Sequence, residues 1–254
     1  MKNIPNLFTL LNLIFGCIAI VCILQTGQSI VYIDPNGFTA VDLPEKIAIG
    51  SFFIFAAGLV DFLDGFIARL FKASSEMGKQ LDSLADVVSF GVAPGLILYQ
   101  LLRISFAKET DGLDISVAAL LPAFIIPAAA AWRLAKFNID DSQQFSFKGI
   151  PTPAAGITIA SLPLIAHYQQ FNLQEVLFNK WLLYAIILLL SYLMVSNIPL
   201  MSLKFKDVSL KNNLPKYLLV VIAILAAIVL KWVAIPVVFI AYVIVSLTFK
   251  NKIA

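Results

Sequence analysis

The chain has 254 residues, 60% hydrophobic and only 13% charged, with a mean hydropathy of +0.92 and a formal net charge of +3. Water-soluble domains hold about 45–50% apolar and about 25% charged residues, so this charge cannot cover a soluble globule of such a length. The balance excludes a soluble enzyme and makes the bilayer the better solvent; no nucleic-acid partner is expected.

Apolar runs of about 20 residues predict helices at roughly 7–25, 47–71, 80–102, 116–136, 152–168, 181–198, 215–231 and 234–250. The expected fold class is all-α, a polytopic membrane protein of about eight transmembrane helices. A single domain over 1–254 is expected, because no soluble domain, low-complexity tract or internal repeat interrupts the runs. The first run follows one lysine, and no small-residue cleavage site comes after it at a suitable distance, so it reads as a retained span. Cys17 and Cys22 share its apolar stretch and are not expected to pair. Residues 26–46 read as a loop.

The second run contains Asp61, Asp64 and Arg69, and the third contains Asp82 and Asp86. The fourth ends on Arg133 and Lys136, and 137–151 reads as a loop with Asp140 and Asp141 solvated. His167 closes the fifth run on the side away from the aspartates, where no function is expected of it. Residues 199–214 read as a loop whose lysines signal topology and attract anionic lipid. The last two runs are joined so tightly at Lys231 and Trp232 that a hairpin is predicted.

Orientation follows from the cations in short loops. With the N-terminus in the cytoplasm, that side collects thirteen of the eighteen Lys and Arg residues, from Lys2 through Arg69 and Lys148 to Lys252. The other side holds Lys46, Arg103, Lys108, Lys180 and Lys231. Both termini are therefore expected to be cytoplasmic.

The charges in the second and third runs demand a reason. A central Asp or Arg costs about 2.5–3.5 kcal/mol, so five at the midplane would cost roughly 12–18 kcal/mol as an upper bound, and intramembrane ionisable groups mark function by default. At about 100° per residue, Asp61, Asp64, Gly65 and Ala68 share one helix face, while Gly78, Asp82 and Asp86 step along one face of the next helix. The two antiparallel helices bring four carboxylates to a similar depth on the cytoplasmic side. Gly65, Ala68 and Gly78 keep the facing surface low enough for a bulky ligand. Carboxylates this close repel unless a cation intervenes. Oxygen-only ligands suit a hard divalent ion, Mg²⁺ or Mn²⁺, of the kind that serves phosphate chemistry. Two ions between paired carboxylates would fit an in-line displacement at phosphorus. The competing readings are a cation pathway through a transporter and a purely structural charge cluster.

The assembled pattern, Asp61-x2-Asp64-Gly65-x2-Ala68-Arg69-x8-Gly78-x3-Asp82-x3-Asp86, resembles the signature of the CDP-alcohol phosphotransferases, with every fixed position filled. The resemblance implies a metal-dependent enzyme that displaces CMP from a CDP-linked alcohol, usually CDP-diacylglycerol, with a second alcohol. It implies that Asp61, Asp64 and Asp82 bind the divalent cation and that Asp86 is the general base with a metal contact. Gly65, Ala68, Arg69 and Gly78 would hold the CDP moiety.

Two further segments are similar to the serine-using branch of that family. One is Ile4-Pro5-Asn6-Leu7-Phe8-Thr9 followed by Asn12 and Gly16; Asn6 and Thr9, three apart, could face the nucleotide, or they could simply initiate the helix. The other is Arg133-Leu134-Ala135-Lys136-Phe137-Asn138 with Phe147 to Pro153. A cation here would bind the serine carboxylate, Arg133 being favoured for its bidentate geometry, with Lys136 and Asn138 beside it. Arg133 and Lys136 could equally be positive-inside anchors. The implied partners are CDP-diacylglycerol, L-serine and membrane lipids in a bacterial inner membrane, and the resemblance also implies a homodimer. Within the family the alternatives are phosphatidylglycerophosphate and phosphatidylinositol-phosphate synthesis; outside it, a cation-coupled membrane transporter.

Overall fold

The computed structural model describes residues 4–25, 27–34, 37–43, 45–70, 75–109, 115–140, 147–201 and 210–249. Helix α1 (Ile4–Leu24) leads through a β-hairpin of β1 (Gln28–Asp34) and β2 (Gly37–Leu43) to α2 (Ile47–Leu70). Helix α3 (Glu76–Asp86) passes through a π-helical turn, Val87–Val92, into α4 (Ala93–Ala107). Short 3₁₀ turns, Val117–Ala119 and Leu121–Phe124, precede α5 (Ile125–Ile139). Then come β3 (Phe147–Lys148), α6 (Thr152–His167), α7 (Gln174–Leu177), α8 (Lys180–Val195) and β4 (Pro199–Leu200). The described chain closes with α9 (Leu210–Leu230), a 3₁₀ turn and α10 (Ala234–Thr248).

The body is helical, as expected, and among the described residues four stretches are long and apolar enough to cross a membrane: Pro5–Leu24, Ile47–Ile67, Glu76–Ala107 and Asn213–Thr248. Thr152–His167 and Lys180–Val195 are shorter apolar helices. The last long stretch is folded on itself, because Lys231 adopts φ 50° and α9 packs against α10. Trp232 at that bend meets Phe52 and Phe55 of α2 and stacks on Tyr168.

The Glu76–Ala107 stretch occupies the centre. Phe90, Ile97, Leu98 and Leu102 are fully buried, and α1, α5, α6 and α8 all pack on α4. Leu59 and Phe62 of α2 and Ile224 and Ile228 of α9 are exposed, the side chains that lipid would meet. In lipid, apolar area does not drive helices together; close packing of small residues and buried polar links does.

Local chemistry explains the element ends. Ser75 caps α3, its Oγ accepting the Gly78 N–H at 3.0 Å. Asn179 caps α8 by accepting the N–H groups of Trp181 and Leu182. The run predicted as one helix over 116–136 instead begins as 3₁₀ turns: Ser116 caps the first, Pro122 opens the second and Pro127 lies at the start of α5. The third predicted run is extended at both ends. Residues 28–43, expected as loop, pair antiparallel from Gln28↔Leu43 to Asp34↔Gly37.

The loops 137–151 and 199–214 also gain structure, since β3 pairs with β4 through Phe147↔Leu200 and Lys148↔Pro199. Asp140, expected to be solvated, is instead ion-paired with Lys148 at 3.1 Å; Asp141 lies outside the described residues. Gly149 follows at φ +74°, its N–H donating to the Ile198 carbonyl. A Cβ there would lie 2.7–2.8 Å from the carbonyl oxygens of Met194, Leu193 and Ser196. Gly149→Ala is therefore expected to cost more than the roughly 1–2 kcal/mol of left-handed backbone alone, read as a lowered melting temperature in detergent.

Candidate active site

Asp61 and Asp64 lie near the end of α2, and Asp82 and Asp86 one turn apart on α3. One carboxylate oxygen from each of Asp61, Asp64 and Asp82 lies within 4.8 Å of the others. Six oxygens around one Mg²⁺ at about 2.0–2.1 Å stand roughly 2.9–4.2 Å apart, so small side-chain rotations suffice to bring the three onto one ion. All three donors are hard oxygens, and the site fits a divalent cation.

Asp86 sits outside this trio. It is 5% exposed, and its Oδ1 accepts a hydrogen bond from Asn12 Nδ2 at 3.2 Å. Thr9 Oγ1 stands 2.8 Å from Asp64 Oδ2 and donates to it. Helix α1 thus supplies polar partners to both aspartate-bearing helices, through residues three apart on one face.

An open cleft of about 530 Å³ adjoins the carboxylates, lined by Asn6, Thr9, Asp64, Gly65, Gly78 and Asp82 among others. A Cβ on Gly65 would meet no atom within 4 Å, whereas one on Gly78 would approach Asn6 Oδ1 to 3.0 Å. The two glycines differ: Gly65 leaves open space and Gly78 lets α1 come close. Ala68 and Arg69 lie in α2, but their side chains fall outside the described residues. Gly65→Ala should leave the melting temperature unchanged, because the added methyl meets open space, and thermal denaturation in detergent checks this.

The three residues of the Arg133–Asn138 segment go separate ways. Arg133 is 7% exposed, and its Nη1 reaches Thr152 Oγ1 at 3.4 Å. It is within electrostatic range of Asp86, and its Nε has no partner among the described residues. Lys136 Nζ donates to Asn197 Oδ1 at 2.7 Å. Asn138 Nδ2 donates to Ser83 Oγ at 2.8 Å, and its carbonyl accepts Lys79 Nζ, so it straps α5 to α3. Arg133 is the cation brought towards the aspartates, and Lys136 is held by Asn197 instead.

The carboxylates, the first turns of α1, the end of α5 and Thr152 at the start of α6 share one end of the bundle. His167 lines a separate cavity with Glu45 and Gln174 at the other end. Ser89 has no signal in the sequence; Thr152 and Asn12 enter it only as members of the two segments similar to the serine-using branch. For Asn12 a signal existed: Asn6, Thr9 and Asn12 recur every three residues in an otherwise apolar helix.

Residues 2–198 match the family described as CDP-alcohol phosphatidyltransferase. The chain is 34% identical over 207 residues to the CDP-diacylglycerol–serine O-phosphatidyltransferase of Helicobacter pylori (strain ATCC 700392 / 26695), covering 75% of this chain and 79% of that protein. It is 34% identical over 200 residues to the enzyme of the same name from Bacillus subtilis (strain 168), covering 78% of this chain and 89% of the relative. Over 125 residues, 46% of this chain and 41% of the relative, it is 40% identical to the Saccharomyces cerevisiae protein of that name.

Proposed function

Because the chain belongs to the CDP-alcohol phosphatidyltransferase family, we propose that it is a membrane enzyme that transfers the phosphatidyl group of CDP-diacylglycerol to the hydroxyl of L-serine, releasing CMP. The observation that carries the phosphotransfer is the trio of carboxylates from α2 and α3 at the edge of an open cleft, with the buried Asp86 one turn beyond. The choice of serine draws on the names of the relatives and on Arg133 at the aspartate end of the bundle.

Asp61, Asp64 and Asp82 would hold the divalent cation, Mg²⁺ or Mn²⁺. When bound, it supplies charge neutralisation on the pyrophosphate and on the departing CMP. Asn6, Thr9, Gly65 and Gly78 line the cleft that would receive the CDP moiety, with Ala68 and Arg69 as further CDP-binding residues; Thr9 also fixes one Asp64 oxygen. Asp86 accepts the proton of the serine hydroxyl, whose oxygen then bonds to the phosphorus carrying the lipid as the bond to CMP breaks. Arg133 receives the serine carboxylate; Lys136 and Asn138 act on the edge of that site through Asn197 and Ser83.

The chain as one domain over 1–254, crossing eight times with both termini and the aspartates at the cytoplasmic side of the inner membrane, completes the proposal. The cation bias supports that orientation, and a cysteine at position 206 labelled from outside the cell would contradict it. A homodimer belongs to the same reading and is tested by the mass of the protein in nanodiscs.

The acceptor is tested with purified protein, CDP-diacylglycerol, Mg²⁺ or Mn²⁺, and labelled alcohols. Serine incorporation is the expected result. Activity confined to glycerol 3-phosphate or inositol phosphate would keep the family and remove serine.

A further inference from the structure

We propose that Asn12 is a positioning residue for Asp86, held in place by a contact between α1 and the π-helical turn that follows Asp86. The inference rests on the reading of Asp86 as the base. Asn12 and Ser89 are both 0% exposed. Asn12 Nδ2 donates to Asp86 Oδ1 at 3.2 Å, while the Asn12 carbonyl accepts Ser89 Oγ at 3.0 Å. Ser89 lies in the Val87–Val92 turn, so two hydrogen bonds tie one residue of α1 to both sides of the junction between α3 and that turn. Gly16, one helical turn beyond Asn12, makes the approach possible: a Cβ there would stand 2.3 Å from Ser89 Oγ and 3.0 Å from Ser89 Cα.

This arrangement divides the labour of the carboxylate. An amide N–H on Oδ1 fixes the side-chain rotamer, and Oδ2 remains for the acceptor hydroxyl. The amide neither takes the proton nor touches the phosphates; it acts through Asp86. A π turn widens the helix at this point, as such turns do at functional sites, and places Ser89 against α1. Asn12 and Gly16 belong to neither the carboxylate trio nor the lining of the cleft. An amide that merely glued α1 to α3 would alter stability and substrate affinity. A positioning amide alters turnover, and only while Asp86 is present.

The test uses the full chain in nanodiscs. Turnover, KM for serine and Kd for CDP-diacylglycerol are measured for Asn12→Ala, Asn12→Ser, Ser89→Ala, Asp86→Asn and the double variant Asn12→Ala/Asp86→Asn. Asn12→Ala should lower kcat about 10–100-fold, the worth of a hydrogen bond to a charged group, with KM and Kd within about threefold. Asn12→Ser, which keeps a donor at shorter reach, should recover part of that loss, and Ser89→Ala should lower kcat by about 3–10-fold. The double variant should run within about twofold of Asp86→Asn, because Asn12 has nothing left to position. A normal kcat in Asn12→Ala, a loss carried by KM or Kd, or a further drop in the double variant would overturn the inference. If Asn12→Ala does not fold, an unchanged kcat in Ser89→Ala overturns it alone. Wild-type turnover in Asp86→Asn is a different failure: it removes the base itself, whatever Asn12 does.

Discussion

Asp82→Asn is expected to reduce phosphotransfer by a factor on the order of 10³ or more, the effect of losing several kcal/mol of transition-state stabilisation. Asp82 is the member of the trio that α3 contributes, so its loss leaves only the two carboxylates of α2 to hold the ion. Asparagine keeps the volume and removes the charge, so the helices should still pack. Without a cation the variant should be at least as stable as the parent, because like charges at short range no longer repel. Binding of a ligand to the folded state alone raises the apparent stability by mass action. Added Mg²⁺ or Mn²⁺ should therefore raise the melting temperature of the parent and not that of Asp82→Asn. An equal rise in both proteins would mean that the cation sits elsewhere.

Asp86→Asn is expected to lower turnover by about 10²–10⁴, the usual worth of a general base, while sparing the cation-induced rise in melting temperature. The separation rests on geometry. Asp86 lies outside the oxygen trio and is engaged by Asn12, whereas Asp61, Asp64 and Asp82 converge. Loss of the thermal response in Asp86→Asn would make Asp86 a metal ligand first and a base second. Near-normal turnover would remove it from proton transfer.

Much of the site was legible because helix geometry converts spacing into direction. Asp61 and Asp64 are three apart and Asp82 and Asp86 four apart, so each pair must share a face. Charges in apolar runs mark an interior cleft more clearly than any propensity could. The Arg133–Asn138 segment was less legible. Arg133, Lys136 and Asn138 read as one serine-binding group in sequence, yet their partners are Thr152, Asn197 and Ser83, from three other parts of the chain. Pattern along one helix cannot show which distant groups compete for a side chain.

The fold shows the same division. Hydropathy located the long helices, but an apolar run has no period that separates an α-helix from the 3₁₀ turns at Val117–Phe124; Pro122 and Pro127 carried that information. Gln28–Asp34 and Gly37–Leu43 hold no long apolar run, so hydropathy alone makes them loop, and their pairing as strands is visible only in the structure. The π turn after Asp86 has no sequence signature at all. It follows from how α1, α5 and α6 pack on that segment.

The central claim is metal-dependent displacement of CMP at the carboxylate trio. Its most direct measurement is CMP release by the purified chain supplied with CDP-diacylglycerol and serine, first in chelator and then with Mg²⁺ or Mn²⁺ restored. One CMP per phosphatidylserine, absent in chelator and recovered with the cation, is the predicted result. No CMP release with any alcohol at any cation concentration would contradict phosphotransfer and return the aspartates to a cation pathway.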